Sequence, residues 1–163
     1  MKELLNNLYE NLKNKEKELK EREEKIYVDF ITDVDKTCEK LTKKYREYKE
    51  ILIGKQNYVS FYIGVDKVKV FCQRDNNGFF KVELCYIDLG EYKELSLKNW
   101  KGSNDKKTIK KAIQNIGELN WQPIVEEQIE KEIIDTLKFK VDKLVEKENE
   151  LEELEKKLRK GLK

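Results

Sequence analysis

Leucines recur every seven residues at both ends of this chain, as Leu5, Leu12, Leu19 and again as Leu144, Leu151, Leu158, and neither Gly nor Pro interrupts Met1 to Ile53. A seam of this kind is stable only when its leucines are buried against another helix. The two ends are therefore expected to pair with each other or with a second copy of the chain. Lys15 and Arg22 occupy positions an apolar knob would fill, so the N-terminal seam is too weak to act alone. An intramolecular hairpin that also contributes to a homodimer is the favoured arrangement. The seam residues are Leu5, Leu8, Leu12, Leu19, Leu144, Leu151, Leu154 and Leu158.

The apolar spacing predicts helix from the N-terminus through residue 53, with a short strand at Ile26 to Thr32 as the competing reading of that β-branched, aromatic stretch. Residues 1–25 read as an exposed coiled-coil helix and 26–53 as a helix on a core. Gly54 ends it.

Four strands are expected between residues 57 and 98. Gly64 to Lys67 suits a four-residue loop, Asn76-Asn77-Gly78 a three-residue hairpin loop with Gly78 left-handed, and Gly90-Glu91 a two-residue II′ turn. These loops align Val59, Phe61, Ile63 with Val68, Val70, Cys72, then Val82, Leu84, Tyr86, then Leu95, Leu97 on one face. A two-residue turn at Asn77-Gly78 would mix the faces, so alternation selects the longer loop. The opposite face carries Tyr58, Ser60, Tyr62, Lys69, Phe71, Gln73, Lys81, Glu83 and Cys85.

Ser103 or Asn104 can cap a helix over 104–116 with the stripe Ile109, Ala112, Ile113, Ile116. Pro123 opens the last helix, whose stripe Ile129, Ile133, Leu137, Val141, Leu144 is expected in the core to residue 143, with 144–163 continuing as coiled coil. The expected fold is thus α+β: a four-stranded antiparallel meander packed on helices, with the long terminal helices forming a projecting coiled-coil arm.

Composition narrows function by exclusion. The 35 basic and 33 acidic residues nearly cancel, and 31 of the bases are lysines, alongside abundant Asn and Ile, which reads as an AT-rich coding bias that weakens any argument from lysine number. With no histidine, the commonest general base and metal ligand is missing. No phosphate-binding loop, dinucleotide fingerprint or nucleophile elbow occurs. Asp29, Asp33 and Asp35 read as a solvated face. Asp75 with Glu91 and Lys93 resembles a nuclease metal pattern only loosely, because Glu91 falls in a turn. Cys38, Cys72 and Cys85 are odd in number, dispersed and set among core-type neighbours, so they read as buried small apolar groups. No cofactor or metal is implied. No 18-residue apolar run exists, so neither a membrane span nor a signal is expected and the location reads as cytoplasmic.

Two surfaces remain. Tyr58, Tyr62 and Phe71, beside Lys69 and Lys81, form an aromatic patch on the outer sheet face, suited to a protein partner or to stacked bases. Coverage by a long helix of the same chain or a dimer mate is the favoured alternative. The second surface is a basic segment, Lys98, Lys101, Lys106, Lys107, Lys110 and Lys111 around Trp100, that could hold nucleic-acid phosphate. A non-catalytic macromolecule-binding protein, an oligomeric adaptor, inhibitor or scaffold of the kind a mobile element or phage encodes, is the leading expectation. Nucleic-acid backbone binding through 98–111 is the second, and sequestration of a small anion such as a nucleotide the third.

Overall fold

The computed structural model describes residues 1–63 and 68–161; the loop expected at Gly64 to Lys67 lies outside the described residues. The architecture is α+β. Helix α1 (Lys2–Tyr45) is one continuous helix, followed by a 3₁₀ turn (Arg46–Tyr48) and the short α2 (Lys49–Ile53). Gly54 closes α2 at φ +57°, a conformation that favours glycine. Ile26 to Thr32, the candidate strand, is helical, because Ile31, Val34, Cys38, Leu41 and Tyr45 continue from it as one buried stripe at helical spacing.

Strands β1 (Tyr58–Tyr62), β2 (Val68–Arg74), β3 (Phe80–Asp88) and β4 (Glu91–Glu94) form a meander in sequence order. Val59 opposes Cys72 and Phe61 opposes Val70; Val68, Val70 and Cys72 oppose Tyr86, Leu84 and Val82. This is the alignment expected from the hairpin loop. Gly78 sits at φ +79°, and Asp75 holds the loop by accepting at Oδ1 from the Asn77 and Phe79 N–H groups, both at 2.9 Å.

The β3–β4 turn differs. Its loop residues are Leu89 and Gly90, at φ +50° and +81°, and Asp88 pairs with Glu91. Positive φ at both central positions is the type I′ pattern, which matches the twist of the flanking strands and here places a leucine where Asn or Gly is usual. The register therefore shifts by two residues from that expected for Gly90-Glu91. The faces are preserved, since a shift of two restores side-chain parity. Leu95 reaches Leu84, donating its N–H to that carbonyl at 2.7 Å, instead of Tyr86. Leu97 is not in a strand: Ser96 caps α3 (Leu97–Gly102), accepting from Asn99 N–H at 3.2 Å.

Helix α4 (Lys107–Gly117) begins later than the expected Ser103 or Asn104 cap; the Asp105 carboxylate accepts the Lys107 N–H at 3.0 Å, while the Ser103 hydroxyl is turned to the Asp105 carbonyl. Helix α5 (Trp121–Lys160) carries Pro123 within its first turn, where no intrahelical N–H is needed.

The core lies between the inner sheet face and the helices. Beyond the end of β4, β3 has an open edge, and α1 closes it: Thr42 Oγ1 accepts the Val82 N–H at 3.0 Å while donating to the Cys38 carbonyl at 2.7 Å. Thr42→Val preserves shape but leaves the Val82 N–H unpaired, so it is expected to cost about 1–3 kcal/mol, with Thr42→Ser recovering most of it. Urea unfolding followed by circular dichroism reads this directly.

The terminal helices do not close on each other. Every residue of 1–26 and of 137–161 is exposed. All eight seam leucines are among them, so the intramolecular hairpin is overturned. Leu137, Val141 and Leu144, expected in the core stripe, are exposed as well; only Val125, Ile129 and Ile133 of α5 are buried. The reason is direction. Contacts to α1 advance from Tyr27 with Gln114 at the end of α4 to Lys44 with Glu126 and Tyr45 with Glu130 on α5. Helix α5 thus runs in the same general sense as α1. The free half of α1 leaves beside α3 and α4, and the free half of α5 leaves beside Tyr48, about 30 Å away along α1.

Candidate functional site: the outer face of the sheet

Strand alternation places Tyr58, Ser60, Tyr62, Lys69, Phe71, Gln73, Lys81, Glu83 and Cys85 on the face away from the helices. Only Cys85 of these is buried, so the expected coverage by a helix of the same chain is not found among the described residues. Tyr58 and Tyr62 are more than half exposed.

The rings form a connected surface. Tyr58 meets Phe71 at 5.6 Å between centroids, and Phe71 meets Tyr92 edge-on at 5.5 Å. Because β3 separates β2 from β4, the Phe71 and Tyr92 rings must bridge over it. Cys85 lies on β3 between Lys69 and Glu94, beneath that bridge, and its burial follows. Lys69 Nζ stands 4.1 Å from the Tyr62 ring centre and 4.9 Å from that of Tyr92. Its ammonium is held above the ordinary lysine value, first by its hydrogen bond to Tyr62, with Tyr92 adding to it. Tyr92 was not singled out from the sequence: either loop places it on this face, but the expected register set it opposite Leu89, whereas it pairs with Ile87, two residues nearer Phe71.

Beside the rings runs a polar cluster. Lys81 bridges Glu94 at 2.9 Å and Glu83 at 3.3 Å, and Gln73 donates to Glu83 at 2.5 Å. Desolvation is the largest influence on Lys81 and lowers its pKa, but the Glu94 hydrogen bond and the two carboxylate charges outweigh it and the net shift is upward. The face is therefore an aromatic centre with a charge-balanced margin.

The basic segment is dispersed. Trp100 is fully buried; its Nε1 donates to Glu24 at 2.7 Å and its ring stacks on Tyr27 at 5.3 Å. It cannot stack on a nucleic-acid base. Lys106 reaches Glu24 at 3.5 Å and lies over the Trp100 ring; Lys110 pairs with Glu23 at 2.8 Å and lies near Tyr27. These two lysines fasten α4 to α1. Lys98, Lys101, Lys107 and Lys111 make no ion pair among the described residues.

The remaining candidates do not assemble. Asp75 lies in the β2–β3 loop and Glu91 at the β3–β4 turn, at opposite ends of the nine-residue β3 and so roughly 25 Å apart. No group of three potential metal ligands forms among the described residues. Cys38, Cys72 and Cys85 are buried, and burial pushes the thiols up, to about 12 for Cys38 and Cys72. The native protein is expected to resist iodoacetamide at pH 8, with three sites alkylated only after denaturant is added, as intact mass would show. No described helix is long and apolar enough to cross a membrane.

No family model, curated protein or solved structure matches this chain.

Proposed function

We propose that the protein is a non-catalytic macromolecule-binding protein, a dimeric adaptor, inhibitor or scaffold, and that it holds its partner on the outer sheet face. The observation that carries this reading is the uncovered, continuous ring surface Tyr58–Phe71–Tyr92 with Tyr62 and the Lys69 ammonium docked against it. Tyrosines supply large contact area at low entropic cost and are enriched where binding energy concentrates. A margin of Lys81, Glu83, Gln73 and Glu94 suits a protein surface of mixed charge better than a polyanion.

A photoreactive benzoylphenylalanine in place of Tyr62 tests it in the producing cell. Cross-linking to one protein, lost when Phe71→Ser is added in a chain that still unfolds cooperatively, supports the reading. Cross-linking that survives Phe71→Ser, or that yields only nucleic acid, overturns it.

A second reading, nucleic-acid backbone binding, has one observation in its favour: Lys107 and Lys111 make no ion pair among the described residues and line the grooves on either side of α4. Under it, Lys107→Glu with Lys111→Glu lowers affinity for single-stranded oligonucleotide several-fold and flattens its salt dependence. Lys106→Glu with Lys110→Glu instead loosens α4 from α1. Absence of any shift at low salt removes this second reading.

A further inference from the structure

Two amphipathic half-helices stand free, and their interruptions carry opposite charge. On the free half of α1, Leu5, Leu12, Leu19 and Ile26 recur every seven residues, and the positions three further on are Leu8, Lys15 and Arg22. On α5, Leu137, Leu144, Leu151 and Leu158 recur every seven, and the positions three earlier are Ile134, Val141, Glu148 and Glu155. The leucines are all exposed, from Leu137 at 40% to Leu144 at 69%. Basic residues break one seam and acidic residues break the other.

We infer that the occupant of both seams is a second copy of this chain: the free half of α1 packs antiparallel on the free half of its partner's α5, and the reverse, in a closed two-fold dimer. This rests on the dimeric part of the reading above, not on what the sheet face binds.

In an antiparallel coiled coil an a position faces a d position. With the α1 leucines at a and the α5 leucines at d, one register stacks Leu12 on Leu158, Leu19 on Leu151 and Ile26 on Leu144. The same register sets Lys15 against Glu155 and Arg22 against Glu148. Both interruptions are matched by opposite charge. Pairing α1 with its own copy in parallel places Lys15 on Lys15 and Arg22 on Arg22, and doing the same with α5 places Glu on Glu. Like charges inside a seam are repulsive and disfavour those parallel pairings.

The fold decides between a closed pair and an open chain. Because α1 and α5 run in the same sense and leave the core at opposite ends, a second copy flipped by a two-fold axis lays each free half antiparallel to its complement. A copy displaced end to end makes the pairing parallel, where a faces a and the leucines of one helix meet Ile134, Val141, Glu148 and Glu155 of the other. Each seam alone is short, and closing the second within the dimer makes it effectively intramolecular. Lys15 now contacts Glu18 at 3.6 Å and Glu155 contacts Arg159 at 2.6 Å. These are exposed same-helix pairs worth a few tenths of a kcal/mol, so they yield readily to pairing across the seam.

Light scattering on the purified chain is expected to give twice the chain mass. Lys15→Glu with Arg22→Glu, and separately Glu148→Lys with Glu155→Lys, are each expected to give monomers with unchanged cooperative unfolding, since all four side chains are exposed. Mixing the two monomeric variants regenerates a dimer, because acidic arms then meet basic arms between chains. Leu12→Cys mixed with Leu158→Cys forms the inter-chain disulfide, and neither does so alone; the native thiols are buried and do not interfere. A monomeric wild type, an open polymer, or a mixture that stays monomeric overturns the inference. None of these variants touches the sheet face, so failure here leaves the partner-binding reading to its own test.

Discussion

Replacing Trp100 by alanine is expected to destabilise the protein by about 3–5 kcal/mol, the range for removing a large aromatic side chain from a core that cannot fully collapse. Trp100 is 0% exposed and is held on three sides: Tyr27 stacks on one face, Lys106 Nζ lies 4.4 Å from the ring centre, and Nε1 donates to the Glu24 carboxylate. Packing dominates over the hydrogen bond here, because Glu24 is half exposed and water replaces the lost donor. Trp100→Phe should therefore recover most of the loss. Urea unfolding by circular dichroism would show a large fall in midpoint for alanine and a small one for phenylalanine, at unchanged slope. The site also sets a direction. Glu23, Glu24 and Tyr27 are the last residues of α1 to touch the core before its free half begins, so the alanine variant should loosen that half as well, seen as faster amide exchange over residues 20–30.

Trp100 also shows where sequence reasoning succeeds and where it stops. Alternation and turn chemistry are local, so the pairing of β1, β2 and β3 was legible from Gly78 and the runs around it. So was the aromatic face made by Tyr58, Tyr62 and Phe71. The β3–β4 register was not, because Leu89 adopts a positive φ that its side chain disfavours, and only the surrounding sheet imposes that conformation. That one misplacement set Tyr92 two residues too far along β3 from Phe71 and put Leu97 in a strand. Trp100 sat among lysines in sequence, but its burial depends on Glu24 and Tyr27, more than 70 residues away. The heptads at the two ends were legible as unsatisfied surface. Their partner was not, since the sense in which α5 leaves the core is set by tertiary contacts at Lys44, Tyr45 and Glu130.

Ile129→Ala carries the second large effect, about 2–5 kcal/mol, and separates two roles of α5. Ile129 and Val125 are 0% exposed and Ile133 nearly so; this one stripe joins α5 to α2 and the edge of the sheet. The polar contacts around it, Tyr45 Oη to Glu130 at 2.8 Å and Lys44 to Glu126 at 3.1 Å, are partly solvated and too weak to hold the helix once the stripe is cut. Ile134→Ala, one residue beyond the stripe and half exposed, should change stability by less than about 0.5 kcal/mol. Helix content discriminates further. Residues 137–160 of α5 are all exposed, and a free helix of that length is marginal in water. Undocking by Ile129→Ala should therefore lower both the urea midpoint and the mean helicity. In a dimer closed through the two free halves, it should also lower the associated fraction, because a helix without a fixed direction cannot reach its complement. The charge reversals at Lys15, Arg22, Glu148 and Glu155 should remove association while leaving the core's midpoint in place. A variant that loses both and variants that lose one show that docking of α5 precedes pairing of its free half.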